Sequence, residues 1–351
     1  MNAFWSPIVE RLSPYVPGEQ PKIEGLIKLN TNENPYPPSE RVVQANGEAL
    51  GTDGAALRLY PDPESFALRA AAAKRLNLSP EHVFAGNGSD EILAFVFQGL
   101  LQHTQPLVFP DISYSFYPSY CKLFGITSDP VALTDAFEID LDAVPKERTA
   151  VIFPNPNAPT GRAIERSIIE AFLVARPQTL VVVDEAYVDF GGQSCAPLVA
   201  QYPNLLVTQS LSKSRALAGM RVGLAFGQPQ LLEALIRIKD SFNSYPLDRL
   251  AQAAALAALE DEEWLTRNRA AIMTSRNWLT GALQSLGFQV LPSAANFVFA
   301  RHPSRQALEV AQSLRRQKIL VRHFQKPRIE DWLRITVGTD SECQALISAL
   351  E

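Results

Sequence analysis

Cysteine and histidine are scarce in this sequence, which argues against two kinds of site. The 351 residues include only three cysteines, Cys121, Cys195 and Cys343, and no Cys-x-x-Cys pair. An odd number of scattered cysteines does not fit a disulfide scaffold, so we expect a reducing, cytoplasmic location. No two of the four histidines lie at the spacing of helical metal ligands, so no metal site is expected.

A surplus of positive charge is also absent. Lysine and arginine together number 32, against 37 aspartates and glutamates, which gives a net charge of -5. Such a chain has no broad basic face for nucleic acid or for an anionic membrane, so we expect neither partner. An anionic small-molecule substrate would have to be bound by a few local arginines.

Long apolar segments are missing as well. No run of about 18 apolar residues occurs, so no membrane-spanning helix is expected. The first ten residues lack a basic segment followed by an apolar run, so we do not expect a signal peptide. With 46% hydrophobic residues, the composition is that of an ordinary globular protein, and its length favours two lobes.

Short apolar runs recur through the first two thirds of the chain. They lie at 106–109, 150–153, 179–183, 205–208 and 222–226, separated by helical or loop segments. Runs that are apolar on both faces and alternate with helices predict a mostly parallel sheet covered by helices on both sides. The sequence therefore predicts an α/β large domain.

The pattern changes after Tyr245-Pro246. A long helical stretch, broken near Asp261, is followed by a few strands and two helices, which predicts a smaller α+β domain. The first 40 residues are rich in proline and polar residues and predict an extended arm. The expected organisation is an N-terminal arm (1–40), a large domain (41–245) and a small C-terminal domain (246–351).

The most informative motif is Ser210-Leu211-Ser212-Lys213, directly after the apolar run 205–208. Most lysines are solvated at the surface. However, Asp184 and Gly88 also follow apolar runs, and the carboxyl ends of parallel strands are where ligands gather. A lysine at such an edge can act as nucleophile and base. Lys213 is therefore the first candidate catalytic residue.

Asp184 and Tyr187 form a second motif, Asp-Glu-Ala-Tyr, at the end of the run 179–183. A strand-end acid commonly only caps the next helix. Alternatively, it keeps the nitrogen of a pyridine ring protonated, and the phenol of Tyr187 reaches the same ring. Upstream of the lysine motif, this pair supplies the groups needed to hold pyridoxal phosphate as a Schiff base. We therefore expect Lys213, Asp184 and Tyr187 to be catalytic.

A third segment, Gly88-Ser89-Asp90, is predicted to open a helix directly after a strand. Free backbone amides at a helix start bind a phosphate dianion, although the segment could equally be a capping turn. Ser210, Ser212 and Arg221 could complete a phosphate site, in which the arginine supplies a fixed charge.

Four other residues are candidates for contacts with a ring or a substrate. Tyr114 could stack on the ring face or pack in the core. Asn157, in a turn-rich segment, could donate to the phenolate oxygen of the ring or only form a turn. Arg334 lies inside an apolar strand, where a charge is costly unless paired. It fits either a buried ion pair or a clamp for a substrate carboxylate or phosphate, and Arg322 is a second such candidate.

Taken together and in order, these motifs resemble the class I and II aminotransferases of fold type I, and among them the histidinol-phosphate aminotransferases. The resemblance covers nearly the whole chain and rests on segments 29–35, 58–61, 88–91, 155–161, 184–187, 210–213, 219–223 and 333–339. It implies a homodimer that transfers the amino group of L-histidinol phosphate to 2-oxoglutarate in histidine biosynthesis. An aromatic-amino-acid aminotransferase, a threonine-phosphate decarboxylase and a non-catalytic regulator that has kept the fold remain alternatives.

The resemblance also implies roles for single residues. Lys213 would carry the cofactor, Asp184 would pair with its pyridine nitrogen, and Tyr60 would reach the cofactor phosphate of the neighbouring subunit. Cofactor binding would involve Gly88, Ser89, Asp90, Tyr114, Asn157, Tyr187, Ser210, Ser212 and Arg221. Substrate binding would involve Arg334, which would hold the α-carboxylate of glutamate, together with Arg322, Tyr15 and Asn32.

One position departs from the family pattern. The asparagine that contacts the ring oxygen usually stands directly before Pro-Thr-Gly, and in this chain that position is Ala158. Either Asn157, one residue earlier, turns in to replace it, or Tyr187 makes the contact alone.

Overall fold

The computed structural model describes residues 4–12 and 18–351, in which the chain forms eleven α-helices and ten β-strands. The helices are α1 Pro7–Arg11, α2 Glu40–Leu50, α3 Phe66–Arg75, α4 Gly88–Gly99, α5 Tyr117–Phe124, α6 Arg166–Ala175, α7 Pro229–Phe242, α8 Arg249–Glu260, α9 Glu262–Ser285, α10 Ala307–Arg316 and α11 Asp340–Leu350. The strands are β1 Ile27–Leu29, β2 Val83–Asn87, β3 Ala150–Pro154, β4 Leu180–Asp184, β5 Leu205–Ser210, β6 Val222–Gly227, β7 Gln289–Val290, β8 Phe297–Arg301, β9 Ile319–His323 and β10 Leu333–Thr336.

The first sheet has the strand order β2-β6-β5-β4-β3. Strands β3, β4 and β5 pair in parallel, while β6 is antiparallel to both β2 and β5. Alternate residues of β4 face opposite sides, so Val181 and Val183 enter one apolar cluster and Val182 enters the other. Because helices cover both faces, the strands read as continuous apolar runs, and the predicted α/β architecture is confirmed.

The expected strand at 106–109 is the exception. Leu107 and Val108 make only isolated parallel bridges, to Ser128 and Val151. The segment therefore extends the sheet edge beyond β3 without becoming a full strand.

The second sheet has the order β1-β9-β10-β8-β7 and packs against helices α9, α10 and α11. Its edge strand β1 comes from the N-terminal arm and pairs in parallel with β9, with Ile27 opposite Ile319. Leu29 at the end of β1 is buried in the core of this lobe. The arm is therefore anchored to the C-terminal part of the chain, where it can reach the space between the two sheets.

Helix α8 belongs by its packing to the first lobe. Leu247, Ala251 and Leu259 are buried in the same cluster as strands β3 to β6. The chain breaks at Asp261, whose side chain accepts a hydrogen bond from the backbone nitrogen of Trp264 and caps α9. The expected division at 245/246 stays a prediction, and this packing favours a change of lobe nearer Asp261. No helix among residues 4–12 and 18–351 is long and apolar enough to cross a membrane.

Functional groups gather where strands of the first sheet end. Helix α4 starts at Gly88 directly after β2, Asp184 ends β4 and Ser210 ends β5. Gly88 has a φ of +82°, in the left-handed region that favours glycine. Gly223 of β6 packs directly beneath the start of α4, where an added Cβ would lie 2.6 Å from the carbonyl carbon of Gly88 and the nitrogen of Ser89.

This close packing gives a test of the fold. We expect Gly223→Ala to lower the free energy of unfolding by about 1–3 kcal/mol, because the methyl group forces the backbone of α4 away from the sheet. Gly281→Ala is the matched control: Gly281 lies within α9, and an added Cβ would meet no atom within 4 Å. That change should stabilise the protein, by up to about 1 kcal/mol. Urea titrations followed by circular dichroism measure both, and equal effects would contradict the packing described.

Candidate active site

A cavity of about 560 Å³ lies between the two lobes and the arm. The first lobe contributes the strand-end residues Asp184 and Ser210 and, from the loop after β5, Lys213. The second lobe contributes Arg322 and Arg334. The arm closes one side with residues 30–33. Segments far apart in sequence therefore meet in a single space.

Lys213 follows β5 and points into this cavity. Its Nζ donates to the backbone oxygen of Thr31 at 3.3 Å and lies 5.9 Å from the ring centroid of Tyr187. The backbone at Lys213 is held from the arm, because Asn34 Nδ2 donates to the Lys213 carbonyl oxygen at 2.9 Å. The same amide bonds to Asn268 of α9 at 2.9 Å, so the lysine loop, the arm and the second lobe are tied at one point.

Asp184 is only 5% exposed and lines the same cavity. It accepts hydrogen bonds from Tyr117 Oη at 3.0 Å and from Thr208 Oγ1 at 3.4 Å. Burial raises the pKa of this carboxyl from 3.8 to about 6, against the lowering effect of these hydrogen bonds. In the part of the chain that the structure describes, Asp184 forms no salt bridge. A cationic group bound in the cavity would therefore be stabilised by this acid.

The start of α4 and the loop after β5 form a cup for an anion. Ser89, Ser210 and Ser212 line it, and Arg221 borders it with a side chain 46% exposed. The packing is tight, because a Cβ on Gly88 would lie 2.5 Å from a guanidinium nitrogen of Arg221. Helix-start amides, hydroxyls and a guanidinium are the groups that bind phosphate.

The side chain of Asp90 bonds to two other residues of this cup. Its carboxylate accepts hydrogen bonds from Arg221 at 3.1 Å and from Tyr114 Oη at 2.7 Å. Asp90 thus holds the arginine and the aromatic ring in position. Tyr114 lines the cavity and packs edge-on against Tyr117, the residue that bonds to Asp184.

Two arginines of the second lobe lie on the wall formed by β9 and β10. Arg322 and Arg334 are cross-strand partners, and each guanidinium lies 5.6 Å from the ring centroid of Phe324. Arg334 also donates to the carbonyl oxygen of Asn30 at 2.9 Å. Arg322 and Arg334 both line the cavity, so two positive charges of the second lobe face the space in which an anion would bind.

Tyr187 and Asn32 lie side by side on the cavity wall. Asn32 is buried, and its Nδ2 donates to Tyr187 Oη at 3.0 Å. The ring of Tyr187 packs edge-on against Phe297, with centroids 5.2 Å apart. The expected substrate residue Asn32 is therefore engaged by another side chain of the site.

The expectation that Asn157 turns into the cavity is wrong. Its side chain is fully buried beneath the wall, where Nδ2 donates to the backbone oxygen of Ile112 at 3.0 Å and to Thr160 Oγ1 at 3.1 Å. The next residue, Ala158, lines the cavity instead. Successive side chains of this turn face opposite directions, so a one-residue offset cannot be corrected by a side-chain rotation.

Tyr60, which was expected to act in the neighbouring subunit, does not line this cavity. Tyr60 is 78% exposed, outside the cavity of its own chain, and stacks on Tyr245 with ring centroids 4.6 Å apart. Tyr15 lies outside the described residues.

Sequence reasoning missed Tyr117 and Glu33. Tyr117 bonds to Asp184 across 67 positions, a pairing for which the sequence carries no signal. Glu33, which belongs to the segment 29–35, lines the cavity. Burial raises the pKa of its carboxyl, but hydrogen bonds from Lys28 and Thr31 outweigh that effect and lower it overall. A charged residue in a segment rich in amides was the only available signal.

Comparisons with known proteins agree with this geometry. The family model described as "Aminotransferase class I and II" matches residues 24–350. Histidinol-phosphate aminotransferase 2 of Dechloromonas aromatica is 59% identical over 351 residues, covering 100% of this chain and 99% of the relative. The histidinol-phosphate aminotransferase of Aromatoleum aromaticum is 59% identical over 354 residues, with the same coverage.

Solved structures show the same fold. The histidinol-phosphate aminotransferase of Sinorhizobium meliloti, solved in complex with pyridoxal-5'-phosphate, has a TM-score of 0.89 and 26% identity, covering 100% of this chain and 97% of the other. The enzyme of the same name from Clostridium acetobutylicum has a TM-score of 0.85 at 22% identity, covering 93% and 98%. With the family model spanning residues 24–350, this chain belongs to the class I and II aminotransferases.

Proposed function

We propose that this protein is a pyridoxal-phosphate-dependent aminotransferase that converts L-histidinol phosphate and 2-oxoglutarate to imidazole-acetol phosphate and L-glutamate, in L-histidine biosynthesis. The observation that supports the proposal is the set of residues that line one cavity. Lys213 and the buried Asp184 open into it, and two arginines line its other wall. Relatives 59% identical over the whole chain bear the name of this activity.

The residues present fit pyridoxal phosphate. Asp184 has a carboxyl whose pKa is raised by burial, so a protonated pyridine nitrogen would offset an existing electrostatic cost. The cup at the start of α4 would hold the phosphate, with Ser89, Ser210 and Arg221 around it. Tyr114 would cover the ring face. When bound, the cofactor supplies an aldehyde that bonds to amines and a ring that withdraws electrons from the substrate carbon.

Lys213 is the residue that moves protons. When the substrate amine has replaced the amine of Lys213, Lys213 Nζ is free to act as the base that removes the proton from the substrate carbon bearing the amino group. The hydrogen bond to the backbone oxygen of Thr31 keeps this amine on the cavity side of its loop. Asn34 fixes the backbone beneath it, so the amine can transfer the proton without the loop moving.

Arg322 and Arg334 would bind the anionic end of both substrates. L-Histidinol phosphate carries a phosphate and 2-oxoglutarate carries two carboxylates, so each brings an anion that a guanidinium can bind through two hydrogen bonds. Both arginines lie on one face of the β9–β10 wall. This arrangement lets one site serve two substrates in turn.

We further propose a homodimer that shares its active sites. Tyr60 stacks on the exposed Tyr245, and large apolar side chains close to these two in sequence are also exposed, namely Leu57, Leu59, Phe66 and Phe242. Exposed aromatic side chains in such number mark a protein interface. Tyr60 lies outside its own cavity, and a two-fold axis at this surface would bring it to the partner's phosphate site. The division into arm, large domain and small domain remains part of this proposal.

A cytoplasmic location is also proposed. Cys121, Cys195 and Cys343 are all buried free thiols. Burial raises the pKa of Cys121 and of Cys343 to about 11, so these thiols stay protonated and unreactive.

A panel of amino donors tests the substrate. With 2-oxoglutarate as acceptor, we expect kcat/KM for L-histidinol phosphate to exceed that for unphosphorylated L-histidinol by at least about 100-fold, because the arginine wall is then left without its anion. Arg334→Lys should weaken the use of both L-histidinol phosphate and glutamate, since lysine lacks the bidentate fork. Arg301→Lys is the control, because Arg301 lies over Trp332 outside the cavity.

Other results of the panel would overturn the proposed substrate. A preference for L-phenylalanine would indicate an aromatic-amino-acid aminotransferase. Release of carbon dioxide from O-phospho-L-threonine would indicate a decarboxylase. If Arg334→Lys impairs only one of the two substrates, the shared clamp is wrong.

Asp184→Asn should separate stability from catalysis. The folded carboxyl has a pKa of about 6 against 3.8 unfolded, so between these values the folded state binds more protons. The cofactor-free protein therefore loses stability as pH rises through this window. The variant escapes that loss and should be more stable at pH 8 by up to about 3 kcal/mol, with the gain vanishing near pH 4. Its amino transfer should fall by about 100-fold or more.

Urea titrations at several pH values and an assay with 2-oxoglutarate measure the two effects. Asp135→Asn, in an exposed turn, is the matched control and should change neither. A pH-independent stability difference for Asp184→Asn would contradict the buried-acid argument. Normal turnover in that variant would contradict the role of the acid on the ring nitrogen.

Mixed dimers test the shared site. Tyr60→Phe and Lys213→Ala homodimers should both be impaired, the second completely. In a mixed dimer one site collects both changes and the other is intact, so about half of the wild-type activity should return. Differently tagged chains allow the mixed species to be isolated and assayed. Activity equal to the mean of the two parents would show that Tyr60 acts within its own chain or not at all.

A further inference from the structure

Asn32 is held by more hydrogen bonds than a substrate contact would need. It is 1% exposed and has a φ of +58°, a left-handed conformation that asparagine tolerates better than most residues. Its backbone nitrogen donates to Thr336 Oγ1 at 3.0 Å, and Asn296 Nδ2 donates to its carbonyl oxygen at 3.0 Å. The second lobe thus fixes the backbone of this arm residue on both sides.

The side chain of Asn32 is fixed as well, and with a definite orientation. Thr336 Oγ1 accepts from the Asn32 backbone nitrogen and donates its own hydrogen to Asn32 Oδ1 at 3.0 Å. In the opposite amide orientation both groups facing Thr336 Oγ1 would be donors. The buried hydroxyl would then lose the acceptor for its hydrogen, which is unfavourable. The amide oxygen of Asn32 therefore faces Thr336, and Nδ2 faces Tyr187.

This orientation decides what Tyr187 can do. An amide nitrogen only donates, so Tyr187 Oη accepts from Asn32 Nδ2 at 3.0 Å. The hydrogen of the phenol is then left to point into the cavity that Tyr187 lines. Edge-on packing on Phe297 fixes the plane of the ring.

We propose that Asn32 is a positioning residue that makes Tyr187 a one-way hydrogen-bond donor into the active-site cavity. The inference rests on the proposed function for the identity of the acceptor, which is the anionic ring oxygen of pyridoxal phosphate. Ala158, on the same wall, has no side-chain donor to share this task. Thr336 lies two residues after Arg334 on β10, so the strand that carries the substrate clamp also orients the phenol.

Asn32→Asp is the decisive variant. A carboxylate of the same shape can only accept, so Tyr187 would turn its hydrogen toward position 32 and away from the cavity. A hydrogen bond donated to the anionic ring oxygen stabilises the deprotonated form of the cofactor-loaded protein relative to the protonated form. Its loss should therefore raise the pH midpoint at which the visible absorption band titrates, by about one to two pH units.

A double-mutant cycle separates this effect from that of the new charge. Tyr187→Phe alone should raise the midpoint by a similar amount, and adding Asn32→Asp to it should then change little. Thr336→Val should shift the midpoint in the same direction, because the amide is no longer oriented. Thr336→Ser keeps the hydroxyl and is the matched control, with no shift expected. An unchanged midpoint in Asn32→Asp, or an equal shift on the Tyr187→Phe background, would overturn the proposal.

Neutron diffraction of the deuterated, cofactor-free protein tests the same contact without the proposed function. The deuterium on Tyr187 Oη should point into the cavity in the wild type and toward residue 32 in Asn32→Asp. A deuterium directed at Asn32 in the wild type would overturn the inference. If the wild type forms no visible band with pyridoxal phosphate that is lost on borohydride reduction, the proposed function fails, and the neutron result still decides the role of Asn32.

Discussion

The burial of the Asp184 carboxylate at the end of β4 is the constraint on which the site depends. A charged acid in this position is costly, and the two hydroxyls that bond to it offset only part of that cost. The first lobe must therefore hold Tyr117 and Thr208 in place while leaving the cavity side of the carboxylate open. Tyr117, fully buried at the start of α5, ties the helix layer to the centre of the sheet. The fold thus keeps Asp184 in a position where its negative charge is costly until a cation binds beside it.

The second dependence is the contact between the two lobes, which passes through the N-terminal arm. Strand β1 fixes the arm to the second sheet, and the amides that follow reach across to the first lobe. Asn34 holds the backbone of Lys213, and Asn32 holds the phenol of Tyr187. Each of these short amide side chains forms hydrogen bonds through both its nitrogen and its oxygen, so it holds its partner in a well-defined position. The position of the Lys213 loop in the first lobe is therefore fixed relative to the strand of the second lobe that carries Arg334.

Apart from the arm, apolar packing and an ion pair also join the lobes. Phe137 of the first lobe packs against Phe299 and Trp332 of the second. Nearby, Arg328 pairs with Asp111 at 3.2 Å. Asp111 also accepts from the backbone nitrogens of Ile112 and Leu133, so the loop leading to Tyr114 is braced from the second lobe. The loop that carries Tyr114 to the cavity therefore also depends on a contact between the lobes.

The sequence by itself determined the elements whose signals are local. The apolar runs 150–153, 179–183, 205–208 and 222–226 became β3 to β6, and the helical break near Asp261 is confirmed, because hydrophobic periodicity and capping act over a few residues. Motif spacing likewise predicted that Lys213, Asp184 and the start of α4 would share one edge.

Tertiary structure decided which way individual side chains point and which residues far apart in the sequence come into contact. A one-residue step places Ala158 on the cavity wall and Asn157 beneath it, and no propensity distinguishes the two. The pairing of β1 with β9 and the bond from Tyr117 to Asp184 join residues far apart in the chain. Such contacts are selected by the packing of whole lobes. The sequence therefore supplied the chemical groups, and the way each one points was determined only when the lobes and the arm came together.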